Sequence, residues 1–91
     1  MNNYKISVII PCYYSEKSIA EVVQKTAAEL NEYCNYEFVL VNDGSNDGTY
    51  SEIKRLAEKF NFVIGVDLAK NCGQHNAILA GMKYAGGDYI L

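Results

Sequence analysis

The chain has 91 residues, enough for one small domain or for part of a larger one. Hydrophobic residues make up 49% of it, which excludes a disordered or collagen-like chain. The net charge is −3, and the Lys and Arg residues are scattered without a basic stripe, so nucleic acid is not an expected partner.

Residues 6–10 (ISVII) are short, apolar and β-branched, and read as a buried parallel strand ended by Pro11. Ile19, Val22, Val23, Thr26, Leu30 and Tyr33 then recur at helical spacing. Ser18 with Glu21 fits a capping box at the start of that helix, and Ser15 is the alternative cap. Residues 38–41 (FVLV) form a second buried strand, followed at 42–48 by residue types that favour turns. Thr49 with Glu52 is a second capping box, and Ile53, Leu56, Ala57 and Phe60 give the next helical face. Residues 62–66 are a third strand and 67–73 a loop. Ala77, Ile78, Gly81, Tyr84 and Ala85 mark a third helix, ended by Gly86 and Gly87, and residues 88–91 begin a fourth strand.

This β-α-β-α-β-α-β order predicts an α/β fold: a parallel, Rossmann-like sheet with right-handed crossovers and helices on both faces. The whole of 1–91 reads as a single domain. Cys12, Cys34 and Cys72 are far apart, with no CxxC pair, and read as reduced, mostly buried thiols rather than disulfides or zinc ligands. Residues 1–5 lack the features of a signal peptide, and no apolar run reaches the ~18 residues that span a bilayer, so a soluble cytoplasmic protein is expected.

Ligands of open α/β sheets bind beyond the carboxyl ends of the strands. Polar clusters fall there at residues 11–16, 42–47 and 67–71, and the amino ends show nothing comparable. The residue types suit a nucleoside. A carboxylate accepts from a base N–H or from ribose hydroxyls, and an aromatic such as Tyr14 covers an apolar ring. Gly44 lets backbone approach a ligand, and Lys70 offers a charge to phosphate. Helix N-termini after these loops add oriented N–H groups. There is no GxGxxG, GxxxxGK[ST] or GxSxG motif. A receiver-like phosphorylation domain fits poorly, because Asp67 could be its phosphorylated residue but Glu16 alone is thin for the remaining acidic set.

Residues 8–16 (VIIPCYYSE), 39–49 (VLVNDGSNDGT), 70–77 (KNCGQHNA) and 86–90 (GGDYI) resemble, in order and spacing, the motifs VIIPxYNE, VDDGSxDxT, RNxGxxxA and GDYI of family 2 glycosyltransferases. The RNxG-like segment is similar to the branch that uses polyprenyl-phosphate acceptors. The resemblance implies the front half of a glycosyltransferase A-type fold. It implies an inverting transferase of cell-wall or polysaccharide biosynthesis that uses a UDP- or GDP-sugar, in the cytoplasm or at the inner face of the membrane. Pro11, Tyr14 and Glu16 would line the nucleotide pocket, and Asp43 would bind the base. Gly44, Ser45 and Asp47 would shape that loop, and Lys70 and Asn71 would approach the diphosphate or ribose. Mg²⁺ or Mn²⁺ and the catalytic base would be held by residues past Leu91, so 91 residues alone are expected to be inactive and to self-associate. Ser15, Asn42 and Lys70 depart from the family's usual Asn, Asp and Arg.

Simpler readings stand beside these. Residues 43–49 could be only a turn and helix cap, Glu16 a solvated first-turn charge, and Lys70 and Asn71 an ordinary loop. His75 reads as a helix-start residue, Asp88 as a structural strand start, and Tyr33, Tyr36, Tyr50, Tyr84 and Tyr89 as core or half-buried packing. A nucleotide-binding or regulatory module without transferase activity is the alternative function.

Overall fold

The computed structural model describes residues 4–91. Residues 1–3, part of the segment read as lacking a leader signal, lie outside the described residues. Seven elements alternate along the chain: β1 (Lys5–Cys12), α1 (Ile19–Leu30), β2 (Asn35–Asp43), α2 (Thr49–Lys59), β3 (Val63–Leu68), α3 (Gln74–Met82) and β4 (Tyr89–Ile90). All strand pairs are parallel, and the four-stranded sheet has the order β3-β2-β1-β4. The chain therefore steps outward from β1 to β3 and then returns to the other side of β1. That reversal makes the carboxyl end of β1 a switch point.

The period-two alternation of β-strands divides the core between the two faces. Val8, Phe38, Leu40 and Val63 meet Ile19, Val23 and Ala27 of α1 and Ile53 and Leu56 of α2. Ile9, Val39, Val41 and Val66 meet Ala77 of α3 on the opposite face. Helix α3 lies close against the sheet because Gly81 has no side chain; a Cβ there would sit 2.7 Å from Ile9 Cγ2. Burial pushes the Cys12 thiol up to about 12, against a weaker lowering by a backbone hydrogen bond at Val41.

Several sequence expectations change. Strand β1 continues through Pro11 to Cys12, in register with Val41 and Asn42. Alternate residues of β1 face β4, and among the described residues the last bond of that ladder runs from Ile9 N to Leu91 O. The missing N–H of Pro11 thus falls past the end of that ladder. Neither capping box forms. Ser18 sits at the N-cap of α1 but makes no capping bond. Gly48 is the N-cap of α2, and Glu52 is taken by Arg55 instead. The face of α1 ends at Leu30, and Tyr33 lies exposed beyond it, as do Tyr84 and Tyr89 elsewhere. Cys12 and Cys34 are buried, but Cys72 is exposed. Among the described residues no helix is long and apolar enough to cross a membrane.

Candidate functional site

Strands β1, β2 and β3 deliver their loops to one edge of the sheet, where side-chain hydrogen bonds join them. Asp43, the last residue of β2, is 3% exposed, and its Oδ1 accepts from the backbone N–H of Cys72 at 2.8 Å. Asn71 Nδ2 donates back to the Asp43 carbonyl at 3.3 Å. The β2 and β3–α3 loops are in direct backbone contact: a Cβ on Gly44, whose φ is +76°, would lie 2.2 Å from Asn71 N. Gly44 therefore admits the neighbouring loop at close range.

A second set of bonds joins the β1 and β2 loops. Tyr14 has a positive φ of 52°, rare for a residue with a side chain. Its N–H donates to Ser45 Oγ at 2.9 Å. The N–H of Ser15 donates to Thr49 Oγ1 at 2.9 Å, and Gly48 N donates to Glu16 Oε1 at 3.1 Å. Asp47 Oδ1 accepts from both the N–H and the hydroxyl of Thr49, which closes the start of α2. Asn42 completes the set. Its Nδ2 donates to Asp67 Oδ1 at 2.8 Å, and its Oδ1 accepts from Ser45 N at 3.3 Å.

These loops enclose a cleft of about 440 Å³ lined by Pro11, Tyr13, Ser15, Asp43, Asn71, Gly73 and Gln74. Of the residues proposed from sequence, Pro11, Asp43 and Asn71 meet in it. Gly44, Ser45, Asp47 and Glu16 build the loops beside it, while Tyr14 and Lys70 are exposed at its margin. Tyr13, Gly73 and Gln74 were not singled out from sequence, and Ser15 was noted only as a possible helix cap and as a departure from the family motif. Tyr13 sits beside Tyr14 in the chain and packs edge-on against it, with ring centroids 4.6 Å apart. Gly73, with a φ of +91°, turns the chain into α3. The first N–H groups of α3, from Gln74 onward, have no partner inside the helix, because its first bond runs from Ala77 N to Gly73 O. An anion in the cleft would meet them.

The amino edge, read from sequence as featureless, holds a second polar cluster. Glu37 accepts from Ser7 Oγ and Gly86 N, each at 2.6 Å, and from Lys5 Nζ at 3.1 Å. Ser7 Oγ in turn accepts from Gly87 N, and Asp88 Oδ2 accepts from Lys5 N. Burial works to raise the Glu37 carboxyl, but the Ser7 hydroxyl, the Gly86 N–H and the Lys5 ammonium outweigh it and hold its pKa below the ordinary value. A larger hollow of about 620 Å³ lies here, lined by Lys5, Asn31, Asn35, Glu37 and Phe62 among others. Its charged groups pair with one another within the chain, and it lies away from the switch point, so the smaller cleft is the candidate site.

Among the described residues no group of three or more His, Cys, Asp or Glu side chains converges to hold a metal ion. Asp88, the nearest acidic residue to β4, is tied to Lys5 at the edge opposite the cleft. The described side chains do not fit a divalent cation.

A parallel sheet with a polar cleft at the carboxyl end of its switch strand is the arrangement in which open α/β domains bind their ligands. The model of glycosyl transferase family 2 matches residues 7–91, and the chain belongs to that family. It is 40% identical over 88 residues to an undecaprenyl-phosphate 4-deoxy-4-formamido-L-arabinose transferase of Shewanella sediminis, covering 94% of this chain and 27% of that protein. The enzyme of the same name from an Enterobacter species is 39% identical over 90 residues, covering 97% and 28%. The crystal structure of S. aureus TarS 1–349 in complex with UDP-GlcNAc superimposes with a TM-score of 0.76 at 31% identity, over 96% of this chain and 25% of that one. A Pyrobaculum calidifontis mannosyltransferase, solved with GDP-Man and Mn²⁺, shares the fold with a TM-score of 0.71 at 23% identity, over 98% and 26%. The chain thus spans about a quarter of the length of these relatives, and its sheet is that of the glycosyltransferase A-type fold.

Proposed function

We propose that this chain is the donor-binding part of an inverting glycosyltransferase that takes a UDP- or GDP-sugar and delivers the sugar to a polyprenyl phosphate. The observation that carries this reading is the cleft at the carboxyl edge, with Asp43 and Asn71 at its wall, in a chain of this family. Asp43 accepts a hydrogen bond from a base N–H or a ribose hydroxyl, the Tyr13 ring covers the base, and Asn71 faces the ribose or diphosphate. The open N–H groups of α3 meet the diphosphate charge. Pro11 lines the cleft beside them. Glu16, Gly44, Ser45 and Asp47 hold the loops, and Tyr14 and Lys70 stand at the rim for the base and the phosphates. The undecaprenyl-phosphate relatives support the acceptor class, and the Mn²⁺-bound neighbour supports a divalent cation in the whole enzyme. A lipid acceptor of that class would place the whole enzyme at the cytoplasmic face of a membrane.

Titrating the isotopically labelled chain with UDP and GDP tests the pocket. Amide shifts are expected in residues 11–16, 42–48 and 71–74, and Asp43→Ala weakens binding at least tenfold while the fold persists. Shifts confined to other regions overturn the assignment. The 91 residues alone are expected to transfer no sugar, since donor binding without groups that act on the leaving diphosphate and the acceptor does not lower the barrier. Metal-dependent turnover from a labelled UDP- or GDP-sugar to polyprenyl phosphate by this chain would refute that. Exposed Tyr89, Ile90 and Leu91 along β4 support self-association, which a strict monomer in light scattering at high concentration would contradict.

A further inference from the structure

We propose that Asn42 and Asp67 are an obligatory amide–carboxylate pair that positions the loops of the carboxyl-edge cleft, so that position 42 accepts a carboxylate only when position 67 gives up its own. The inference rests on the donor-binding reading of that cleft for its functional consequence, and on the chain's own hydrogen bonds for the rest.

Asn42 and Asp67 are register partners on adjacent strands β2 and β3. Asn42 is 3% exposed, so its amide must find partners within the chain. One end faces an acceptor, Asp67 Oδ1 at 2.8 Å; the other faces a donor, Ser45 N at 3.3 Å. The amide offers one donor and one acceptor at fixed positions, where a carboxylate offers two acceptors. The flipped amide would set carbonyl oxygen against carboxylate and NH₂ against N–H. The relay continues, because Ser45 Oγ accepts from the N–H of Tyr14, the residue held at φ +52°. One side chain thus connects the end of β3 to the turn after β2 and, through Ser45, to the loop after β1 beside Tyr13, which lines the cleft.

A carboxylate introduced at position 42 would still accept from Ser45 N, but its second oxygen would stand 2.8 Å from that of Asp67 with no proton between them. Two carboxylates cannot both stay ionised at such a separation. At neutral pH the pair parts at its freer member, the exposed Asp67, and the end of β3 is released from the turn that holds Ser45 and Tyr14. The exchanged pair, N42D/D67N, keeps every bond. Its carboxylate, now on β2, accepts from Ser45 N with one oxygen and from the amide now on β3 with the other. The single change D67N, opposite the natural Asn42, also keeps the bond, since the new side-chain carbonyl still accepts. Asn42 is therefore a positioning residue whose partner decides which side chain it can be.

The test compares N42D, D67N and N42D/D67N with the parent chain, reading hydrogen exchange of the Ser45 and Tyr14 amides without nucleotide and then UDP and GDP titration. N42D should speed exchange at both amides at least tenfold, D67N should change it less than threefold, and the double variant should return to within threefold of the parent. If N42D fails to fold, a folded double variant carries the same conclusion. Unchanged exchange in N42D, or a double variant as disturbed as N42D or unfolded, overturns the pair. Binding is expected to follow the same order, at least tenfold weaker in N42D and recovered in the exchanged pair. If the parent chain binds neither nucleotide, the donor-binding reading fails while the exchange data still decide the pair.

Discussion

Strand β2 carries a buried carboxylate toward each edge of the sheet, and the two are used differently. Glu37, at the amino edge, is enclosed by a hydroxyl, a backbone N–H and an ammonium, and these bonds tie β1 and β2 to the α3–β4 connection. Asp43, at the carboxyl edge, accepts from Cys72 N and also faces the cleft. The contrast shows that burial of a charge does not mark a site by itself. Both carboxylates line a hollow, but three donors of the chain occupy the two oxygens of Glu37 and make it a clasp, whereas Asp43 accepts through Oδ1 and keeps Oδ2 for a hydrogen bond from a ligand.

The sharpest way to break the comparison is at the clasp. Glu37→Ala strands the Ser7 hydroxyl, the Gly86 N–H and the Lys5 ammonium, and should cost about 3 kcal/mol of stability in urea unfolding. Nucleotide-induced shifts at residues 42–48 should survive in whatever fraction stays folded. The same clasp carries a pH signature. The folded carboxyl is held below its unfolded value, so its contribution is fully present above the ordinary carboxylate range and is lost as pH falls through the depressed folded pKa. Parent and Glu37→Gln stabilities measured from pH 7 downward should converge in acid; parallel curves would show that the carboxylate's charge contributes nothing.

Next in size is Gly44→Ala. The new Cβ would meet Asn71 backbone at 2.2 Å, in a left-handed conformation that disfavours any side chain. A loss of roughly 2 kcal/mol is expected, with amide shifts at residues 70–73 across the loop contact. Shifts limited to residues 42–48 would mean that the two loops are not coupled. The smallest effect belongs to Glu16→Gln. The amide oxygen still accepts from Gly48 N, so stability should change by no more than about 0.5 kcal/mol. A loss beyond tenfold in UDP or GDP affinity there would place Glu16 in contact with the ligand rather than in the loop behind it.

The chain's own pattern was enough to specify the alternation of elements and the edge of the sheet that carries the cleft. Apolar β-branched runs and helical spacing reflect burial, which is written locally in residue type. The positions of Asp43 and Asn71 after their strands were legible for the same reason. Tertiary structure alone decided what the polar residues hold. Asp47 and Glu52 both stand near the start of α2, but Asp47 closes it while Glu52 turns to Arg55, because a capping bond depends on local backbone angles that residue spacing does not carry. Pro11 stays within β1 because its backbone remains in register with Val41 of β2, a pairing that the residue type does not reveal. The Glu37 clasp was invisible in the sequence: Ser7 and Gly86 lie 30 and 49 residues from it, and hydrogen bonds over such separations are set by strand register and by where the α3–β4 connection returns.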